Sequence, residues 1–319
     1  MSIHQTKRQL WKEINIMPKQ ATYYLGRISK INLTGDEFLQ ALSSPSKVEA
    51  REYLWTFINH KIFKEKNKVK FVYAELAKYV PSGKVEQVDE NQHESRNVEV
   101  DHQLIASSPF VYIPAYSGIA YQHVWNKVEQ KAFVQNFSKI ISETFGKFFI
   151  ECQIEPIAEY LQFIRKLKTA KRISKLEGSV RPPNPFFGRL WDSLRKYLKE
   201  RELQELSLKE QAGRDGRIKS NLLEILKGVT QEKLAEELLL PQGIQIGDAV
   251  ILMAADGYGK AKVEGHDGKH TIVIRTSDVI KNFKYDATPE PEKLYDIAEG
   301  HFGDISKQRY MEHGKDPHN

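Results

Sequence analysis

The sequence predicts an α+β protein with a mixed, largely antiparallel sheet, packed helices and a C-terminal β-hairpin. Strand-like runs rich in aromatic and β-branched residues follow one another directly, as in 108–125, instead of alternating strictly with helices. Helical periodicity separates other strands, as in 129–145. Near the C-terminus, strand-like runs at 258–264 and 270–276 flank a turn at His266-Asp267-Gly268-Lys269, which is the pattern of a hairpin.

The first predicted segment, 1–66, holds a strand and helices. The run ATYYLGRISKINL (21–33) is typical of a strand, and a helical stretch begins at Asp36. A second helix is predicted from Ser46 to about Phe63, because its apolar residues fall on one helical face. These residues are Val48, Tyr53, Leu54, Phe57 and Ile58.

A central α+β segment, 67–213, begins with a strand at 69–80 that ends at the turn Pro81-Ser82-Gly83. The polar, acid-rich stretch 84–100 is predicted as an exposed loop or an excursion at the sheet edge. Strands at 110–115 and 119–125 form a hairpin through Tyr116-Ser117-Gly118.

The helix at 129–145 follows, with Gly146 at its end and Phe133, Phe137, Ile140 and Ile141 as its core stripe.

The second half of the central segment carries a strand at 148–154, a helix at 157–167 and a short strand at 173–180. The helix is predicted to point Ile157, Leu161, Ile164 and Leu167 inward. A further helix, capped by Asn184 with Pro185 in its first position, runs to about Glu205.

The remaining chain divides into two predicted segments. Residues 214–288 hold a helical stretch at 218–240 and the C-terminal hairpin, and 289–319 is a polar tail with one helix. The Ala255–Lys260 run lacks the glycine spacing of a phosphate-binding loop, so we interpret it as a turn entering a strand.

Composition narrows the class of protein. The chain has 319 residues, of which 40% are hydrophobic and 28% charged, as in an ordinary globular protein. No apolar run reaches the length of a membrane helix, and the N-terminus lacks the pattern of a secretory signal. Cys152 is the single cysteine, so no internal disulfide forms. We therefore expect a cytoplasmic protein without membrane insertion.

Positive charge is concentrated in one stretch. Residues 161–201 contain twelve Lys or Arg and three acids, a net charge of +9, whereas the whole chain carries +6. A one-signed run of this kind is typical of a polyanion-binding surface, and its aromatic residues sit at core spacing, which favours phosphate contact over base stacking. The predicted nucleic-acid-binding residues are Arg165, Lys166, Lys168, Lys171, Arg172, Lys175, Arg181, Arg189, Arg195 and Lys196. Lys260 and Lys262 on the late hairpin are further candidates.

Catalytic chemistry is not indicated by any motif. His102, His123, Asp101, Glu75, Glu151 and Glu155 fall in no metal-ligand or acid–base pattern, so we predict no catalytic residues, no metal site and no cofactor. Two alternatives stay open. One is a metal-dependent nuclease whose carboxylates, such as Glu75 or Glu155, converge only in three dimensions. The other is a protein-interaction or oligomerisation module that docks through the 186–197 helix.

Several short segments resemble those of bacterial phage-defence DNA-binding proteins, the group of the Rex-type exclusion sensors and the DNA-binding subunit of the Kiwa system. They are FVYAELAKY (71–79), SPFVYIPAYSGIAYQHVW (108–125), FFIECQIEPI (148–157), SVRPPNPFFG (179–188) and AADGYGKAKVEG (254–265). The resemblance implies a sensor or scaffold that binds DNA, favoured over RNA, and signals to a partner protein of the same defence system. We also expect a homo-oligomer.

Overall fold

Two antiparallel sheets, one of eight strands and one of four, organise the chain. The structure is a computed structural model, and it describes residues 19–89, 93–146, 150–182, 186–214, 216–231, 244–268, 270–309 and 311–313. Every strand pairing within the two sheets is antiparallel, and helices pack on both sheets. The predicted α+β class is confirmed.

The eight-stranded sheet has the order β13-β1-β6-β5-β4-β3-β2, with β7 paired to the second half of β1. Its strands are β1 (Gln20–Ile31), β2 (Val48–Ala50), β3 (Tyr53–Glu65), β4 (Lys68–Asp89), β5 (Glu94–Ile113), β6 (Gly118–His123), β7 (Glu151–Pro156) and β13 (Asn282–Asp286). The strands predicted at 21–33, 69–80, 110–115 and 119–125 are confirmed.

Helices cover the two faces of this sheet. On one face lie α1 (Gly35–Ser43) and α2 (Gln130–Phe145), whose Phe38, Phe133 and Phe137 share a hydrophobic cluster with Phe110 of β5. On the other face lies α7 (Pro291–Gln308), which belongs to a second cluster. Because both faces are covered, the sheet forms the middle layer of three.

The four-stranded sheet has the order β10-β8-β11-β12. Its strands are β8 (Arg172–Val180), β10 (Leu206–Gln211), β11 (Gly259–His266) and β12 (Thr271–Arg275). One face packs on helices, and those described are α3 (Tyr160–Leu167), α4 (Asp192–Glu200), α5 (Leu222–Thr230) and α6 (Ile246–Met253). Two short strands, β9 (Phe186–Gly188) and β14 (Met311–His313), pair separately. The predicted C-terminal hairpin is confirmed as β11–β12.

The helix predicted at 46–63 is wrong, because these residues form β2 and β3. Trp55 and Phe57 are buried at a spacing of two, which is the period of a strand. Pairing with β4 places Phe57 opposite Leu76, so the apolar residues reach the core from an extended backbone. The aromatic and β-branched composition of this stretch fits a strand as well as a helix.

Of the two alternatives predicted for 84–100, the exposed loop is wrong. In the described residues, β4 and β5 continue past the sheet as a two-stranded ribbon, pairing from Ser82 with Asp101 to Asp89 with Glu94. We call this pair of strand ends, Ser82–Asp89 and Glu94–Asp101, the acidic ribbon. Its acids were recognised in the sequence, but its alternating strand pattern was not.

Three helix predictions need adjustment. The helix predicted from Pro185 begins only at Asp192, after β9 and a short 3-10 turn, and Asn184 and Pro185 lie outside the described residues. Leu161 was predicted inward but is 53% exposed, and Tyr160 and Phe163 are buried instead. Of the stretch predicted at 218–240, α5 covers 222–230, and 232–243 lie outside the described residues.

The tail predicted as polar carries α7, and this helix buries Leu294, Ala298 and Phe302 against the eight-stranded sheet. Strand β13 pairs with β1, so residues of the third predicted segment complete the sheet of the first. The boundaries of the four segments stay a prediction.

Candidate nucleic-acid interface

Five of the predicted cations lie together where α3 ends and β8 begins. We call this group, Arg165, Lys166, Lys168, Lys171 and Arg172, the α3–β8 corner. Helix α3 begins after Glu159, whose side chain accepts a hydrogen bond from the Leu161 N–H at 3.4 Å. Because one face of α3 is buried, its cations are directed to the other face and to the last turn. Positive charge there also complements the helix dipole.

The corner is held in place through backbone contacts. The Lys171 N–H donates to the His266 carbonyl at 2.8 Å, which ties the segment after α3 to the β11–β12 hairpin. Arg172 pairs with His266 in the strand register. The Lys166 ammonium lies 3.5 Å from the Asp278 carbonyl. The cations are therefore carried on a rigid junction of helix and sheet.

Arg165, Lys168 and Lys171 are exposed, and none of them forms an ion pair within the described residues. Exposed cations without a carboxylate partner keep their charge available for a ligand. This corner is therefore the most available part of the predicted basic stretch.

Lys175 of β8 lies on the solvent-facing side of the four-stranded sheet, and Arg181 directly follows this strand. Acids pair with both cations. The Lys175 ammonium lies 2.6 Å from the Glu177 carboxylate and 3.5 Å from that of Glu264. The hydrogen bond to Glu177 raises the pKa of Lys175. Arg181 contacts Glu205 at 2.9 Å and Glu151 at 3.7 Å. Their charge is largely neutralised in the folded protein.

Arg195 and Lys196 lie on α4, away from the corner in sequence, and share one acid. Asp192 is 2.5 Å from Arg195 and 3.7 Å from Lys196. Arg189 belongs to the short turn before α4, and its side chain lies outside the described part. The ten predicted residues are thus divided among the corner, the sheet face, and α4 with the turn before it.

Further cations on the sheet face were not all recognised in the sequence. Strand register places Lys209 opposite Glu177, Glu177 opposite Lys262, and Lys262 opposite Arg275. Together with Lys260 and three serines, they line an open trough of about 520 Å³. Lys209 and Arg275 are far apart in sequence, and only the register brings them to one surface. The alternation of polar and apolar residues in each strand is the sequence signal that could have found them.

The carboxylates considered for a nuclease lie apart. Glu75 is on β4 and accepts a hydrogen bond from Asn59 at 3.0 Å, whereas Glu155 is buried on β7, with β1, β6 and β5 between the two strands. Among the described residues, no group of three or more His, Cys, Asp or Glu is arranged to hold a metal ion. Burial raises the pKa of the Cys152 thiol to about 12, as expected for a core cysteine.

The helix considered for docking a partner has its described apolar face in the core. Leu194 and Leu198 of α4, and Trp191 just before it, belong to the hydrophobic cluster under the four-stranded sheet. Tyr197 is 37% exposed. This burial within a single chain weighs against a protein-docking role for that face.

A buried ionic group that the sequence did not reveal joins the two sheets. Asp256 is fully buried and accepts hydrogen bonds from Tyr160 at 2.6 Å and from Trp191 at 3.1 Å. Its carboxylate lies 2.7 Å from the Arg309 guanidinium, and its carbonyl accepts a hydrogen bond from Arg27 at 2.9 Å. We call this group, formed by Asp256, Tyr160, Trp191, Arg309 and Arg27, the Asp256 centre. Its burial and its partners from distant elements make it structural.

The chain belongs to the family described as Domain of unknown function (DUF4747), whose pattern matches residues 28–235. Both the α3–β8 corner and the β3–β4 hairpin fall inside the matched region, whereas the β11–β12 hairpin and α7 fall outside it. No curated protein matches the chain. No helix in the described ranges is long and apolar enough to cross a membrane.

Proposed function

We propose that this protein binds nucleic acid, with DNA favoured over RNA, by contacting the phosphate backbone without sequence preference. The observation that carries the proposal is the α3–β8 corner, where three exposed cations have no ion pair in the described part of the chain. Cations of this kind attract phosphates and release the counterions condensed on the nucleic acid. No described aromatic side chain of the corner is exposed for base stacking, since Tyr160 and Phe163 are buried.

We further propose that binding serves a sensor or scaffold of a bacterial phage-defence system in the cytoplasm, acting with a partner protein and as a homo-oligomer. Support for this step comes from the short segments that resemble phage-defence DNA-binding proteins. The separation of Glu75 from Glu155 favours a binding role over a nuclease.

The test is a binding titration with a labelled DNA duplex at several salt concentrations, comparing the wild type with Lys168→Gln/Lys171→Gln. The slope of log affinity against log salt is negative, and loss of two phosphate contacts makes it less steep by about 1.8. Lys127→Gln/Lys131→Gln is the matched control, because both lysines are exposed, Lys131 on α2 and Lys127 in the turn before it. Helix α2 packs on the eight-stranded sheet, whereas α3 of the corner packs on the four-stranded sheet. We expect the control to bind as the wild type does.

Absence of wild-type binding at about 50 mM salt would reject the function, because the electrostatic contribution is largest there. Equal losses in the corner variant and the control would reject the corner as the site. The same titration with RNA of identical sequence tests the preference for DNA.

A further inference from the structure

A second group of cations lies at the hairpin that joins β3 and β4. Between residues 60 and 70 there are five lysines and one acid, Glu65. All five lysines are exposed, and we call them the lysine tip: Lys61, Lys64, Lys66, Lys68 and Lys70. We propose that the lysine tip is a second phosphate-contact site for the same nucleic-acid ligand, an inference that rests on the proposed function.

The lysine tip is largely free of neutralising acids. Lys70 lies 3.8 Å from Glu65, and the other four lysines form no ion pair with any described residue. On the four-stranded sheet, by contrast, Lys175 and Lys262 each contact Glu177 and Glu264. The tip therefore presents net positive charge to the solvent, as the α3–β8 corner does.

The backbone that carries the tip is firmly built. Lys66 and Asn67 both have positive φ, 49° and 64°, which is the signature of a tight two-residue hairpin turn. Below the turn, Phe63 stacks on Phe71 at 4.2 Å, and Phe71 stacks on Tyr295 of α7 at 4.3 Å. Aromatic stacks of this kind stabilise the hairpin base, so binding a ligand needs no ordering of the strands.

The position of the tip separates it from the acidic ribbon. Strand β4 has its first residue, Lys68, at the tip and its last, Asp89, in the ribbon, so the two lie at opposite ends of 22 residues. At about 3.4 Å per residue, they are up to about 70 Å apart. Screening in about 0.1 M salt acts within roughly 10 Å, so the ribbon does not weaken the field at the tip.

Register places the tip at the end of the sheet that faces the Asp256 centre. Arg27 of β1 pairs with Gly118 of β6, which pairs with Ile113 of β5. The neighbouring residue of β5, Tyr112, pairs with Val72 of β4. Arg27 is therefore level with the beginning of β4, where the tip lies. Arg27 at this same end donates to Asp256. The tip therefore lies at the end of the eight-stranded sheet that adjoins the four-stranded sheet. The acidic ribbon lies at the opposite end.

The experiment adds Lys64→Gln/Lys68→Gln to the salt-dependent titration with duplex DNA. We expect this variant to make the salt dependence of binding less steep by about 1.8 and to weaken binding at least about tenfold at about 0.1 M salt. The control Lys127→Gln/Lys131→Gln is expected to bind as the wild type does. In a variant that combines the corner and tip substitutions, the change in slope is expected to be about twice as large, because the effects of separate phosphate contacts are additive.

The outcomes distinguish failure of the lysine tip from failure of the proposed function. If the wild type binds and the corner variant is weakened while the tip variant binds normally, the lysine tip is not a contact site and the proposed function stands. If the wild type binds vesicles of anionic lipid but not DNA, both proposals are overturned. Circular dichroism of the tip variant checks that the hairpin substitution leaves the fold intact.

Discussion

The Asp256 centre and the α3–β8 corner use similar charged side chains in opposite ways. In the Asp256 centre, carboxylate and guanidinium are fully buried and 2.7 Å apart, and Tyr160 and Trp191 complete the hydrogen bonding. In the corner, Arg165, Lys168 and Lys171 are exposed and have no ion pair in the described residues. A buried charge needs partners to offset its desolvation, whereas an exposed cation is stable without one. The first arrangement therefore maintains the fold, and the second is available to a ligand.

Between these extremes lies the solvent-facing side of the four-stranded sheet. Its cations are exposed or half-buried, yet Glu177 and Glu264 neutralise Lys175 and Lys262. The comparison shows that charge density along the chain does not by itself define a binding surface. A cation on a sheet is available to a ligand only where the strand register does not place an acid opposite it.

The largest effect is expected from Asp256→Ala, which breaks the buried arrangement. Removing the carboxylate leaves Arg309 buried without its counter-charge and leaves Tyr160 and Trp191 without their acceptor. We expect the free energy of unfolding to fall by about 3–5 kcal/mol. Urea denaturation followed by circular dichroism measures this change.

Asp192→Ala is the matched control, because Asp192 also contacts two groups, Arg195 and Lys196, but its side chain is 40% exposed. We expect a loss of about 1 kcal/mol or less from an exposed pair. Equal losses in the two variants would contradict the contrast between buried and exposed charges.

Much of the fold could be predicted from the sequence, because its local patterns agree with its tertiary structure. The core stripe of α2 and the β11–β12 hairpin follow directly from spacing and turn residues. The stretch at 46–63 could not be assigned so easily, since its apolar residues satisfy a helical spacing as well as the period of a strand. Pairing with β4, a tertiary contact, decides for the strand.

The candidate site was predicted only in part, for a similar reason. Local charge density identified the α3–β8 corner, because its five cations lie within eight residues. The neutralisation of Lys175 by Glu264 depends on the pairing of β8 with β11, which brings together two residues 89 positions apart in sequence. The lysine tip is visible in the sequence as five lysines in ten residues. Because a helix was predicted up to Phe63 and a strand from 69, the sequence did not show that these lysines share one hairpin.

A smaller effect is expected from Glu155→Gln, which tests a buried acid with an incomplete set of partners. Glu155 is 3% exposed, its Oε1 lies 3.6 Å from the exposed Lys260, and its Oε2 has no hydrogen-bond partner among the described residues. Burial raises the pKa of Glu155 above its ordinary value of 4.5. The folded state therefore holds this proton more tightly than the unfolded state does.

The sign of the pH dependence follows from linkage. As pH rises from 4.5 through the raised pKa, Glu155 ionises in the unfolded chain first, so its contribution to stability is lost. Glu155→Gln does not ionise, so we expect its stability relative to the wild type to increase across this range, by on the order of 1 kcal/mol. Urea denaturation at several pH values measures the difference, and a constant difference would contradict the raised pKa.

The smallest effect is expected from Glu177→Gln/Glu264→Gln, which removes the carboxylates that pair with Lys175 and Lys262 on the four-stranded sheet. Hydrogen bonds from Lys175 to Glu177 and from Lys262 to Glu264 hold the pKa of each carboxyl below its ordinary value, so both acids are charged at neutral pH. Neutralising them leaves Lys175 and Lys262 without their carboxylates, next to Lys209 and Arg275 along the trough.

If the bound nucleic acid runs from the corner across this face, affinity for duplex DNA rises about threefold and the salt slope steepens by up to about 1.8. Stability is expected to change by about 1 kcal/mol or less, because the pairs are exposed. Ser207→Ala/Gln211→Ala on the same face is the control, since it removes polar groups without changing charge. An unchanged salt slope in the glutamate variant would confine the contact to the corner and the lysine tip, because freeing cations within the path of the phosphates must add to counterion release.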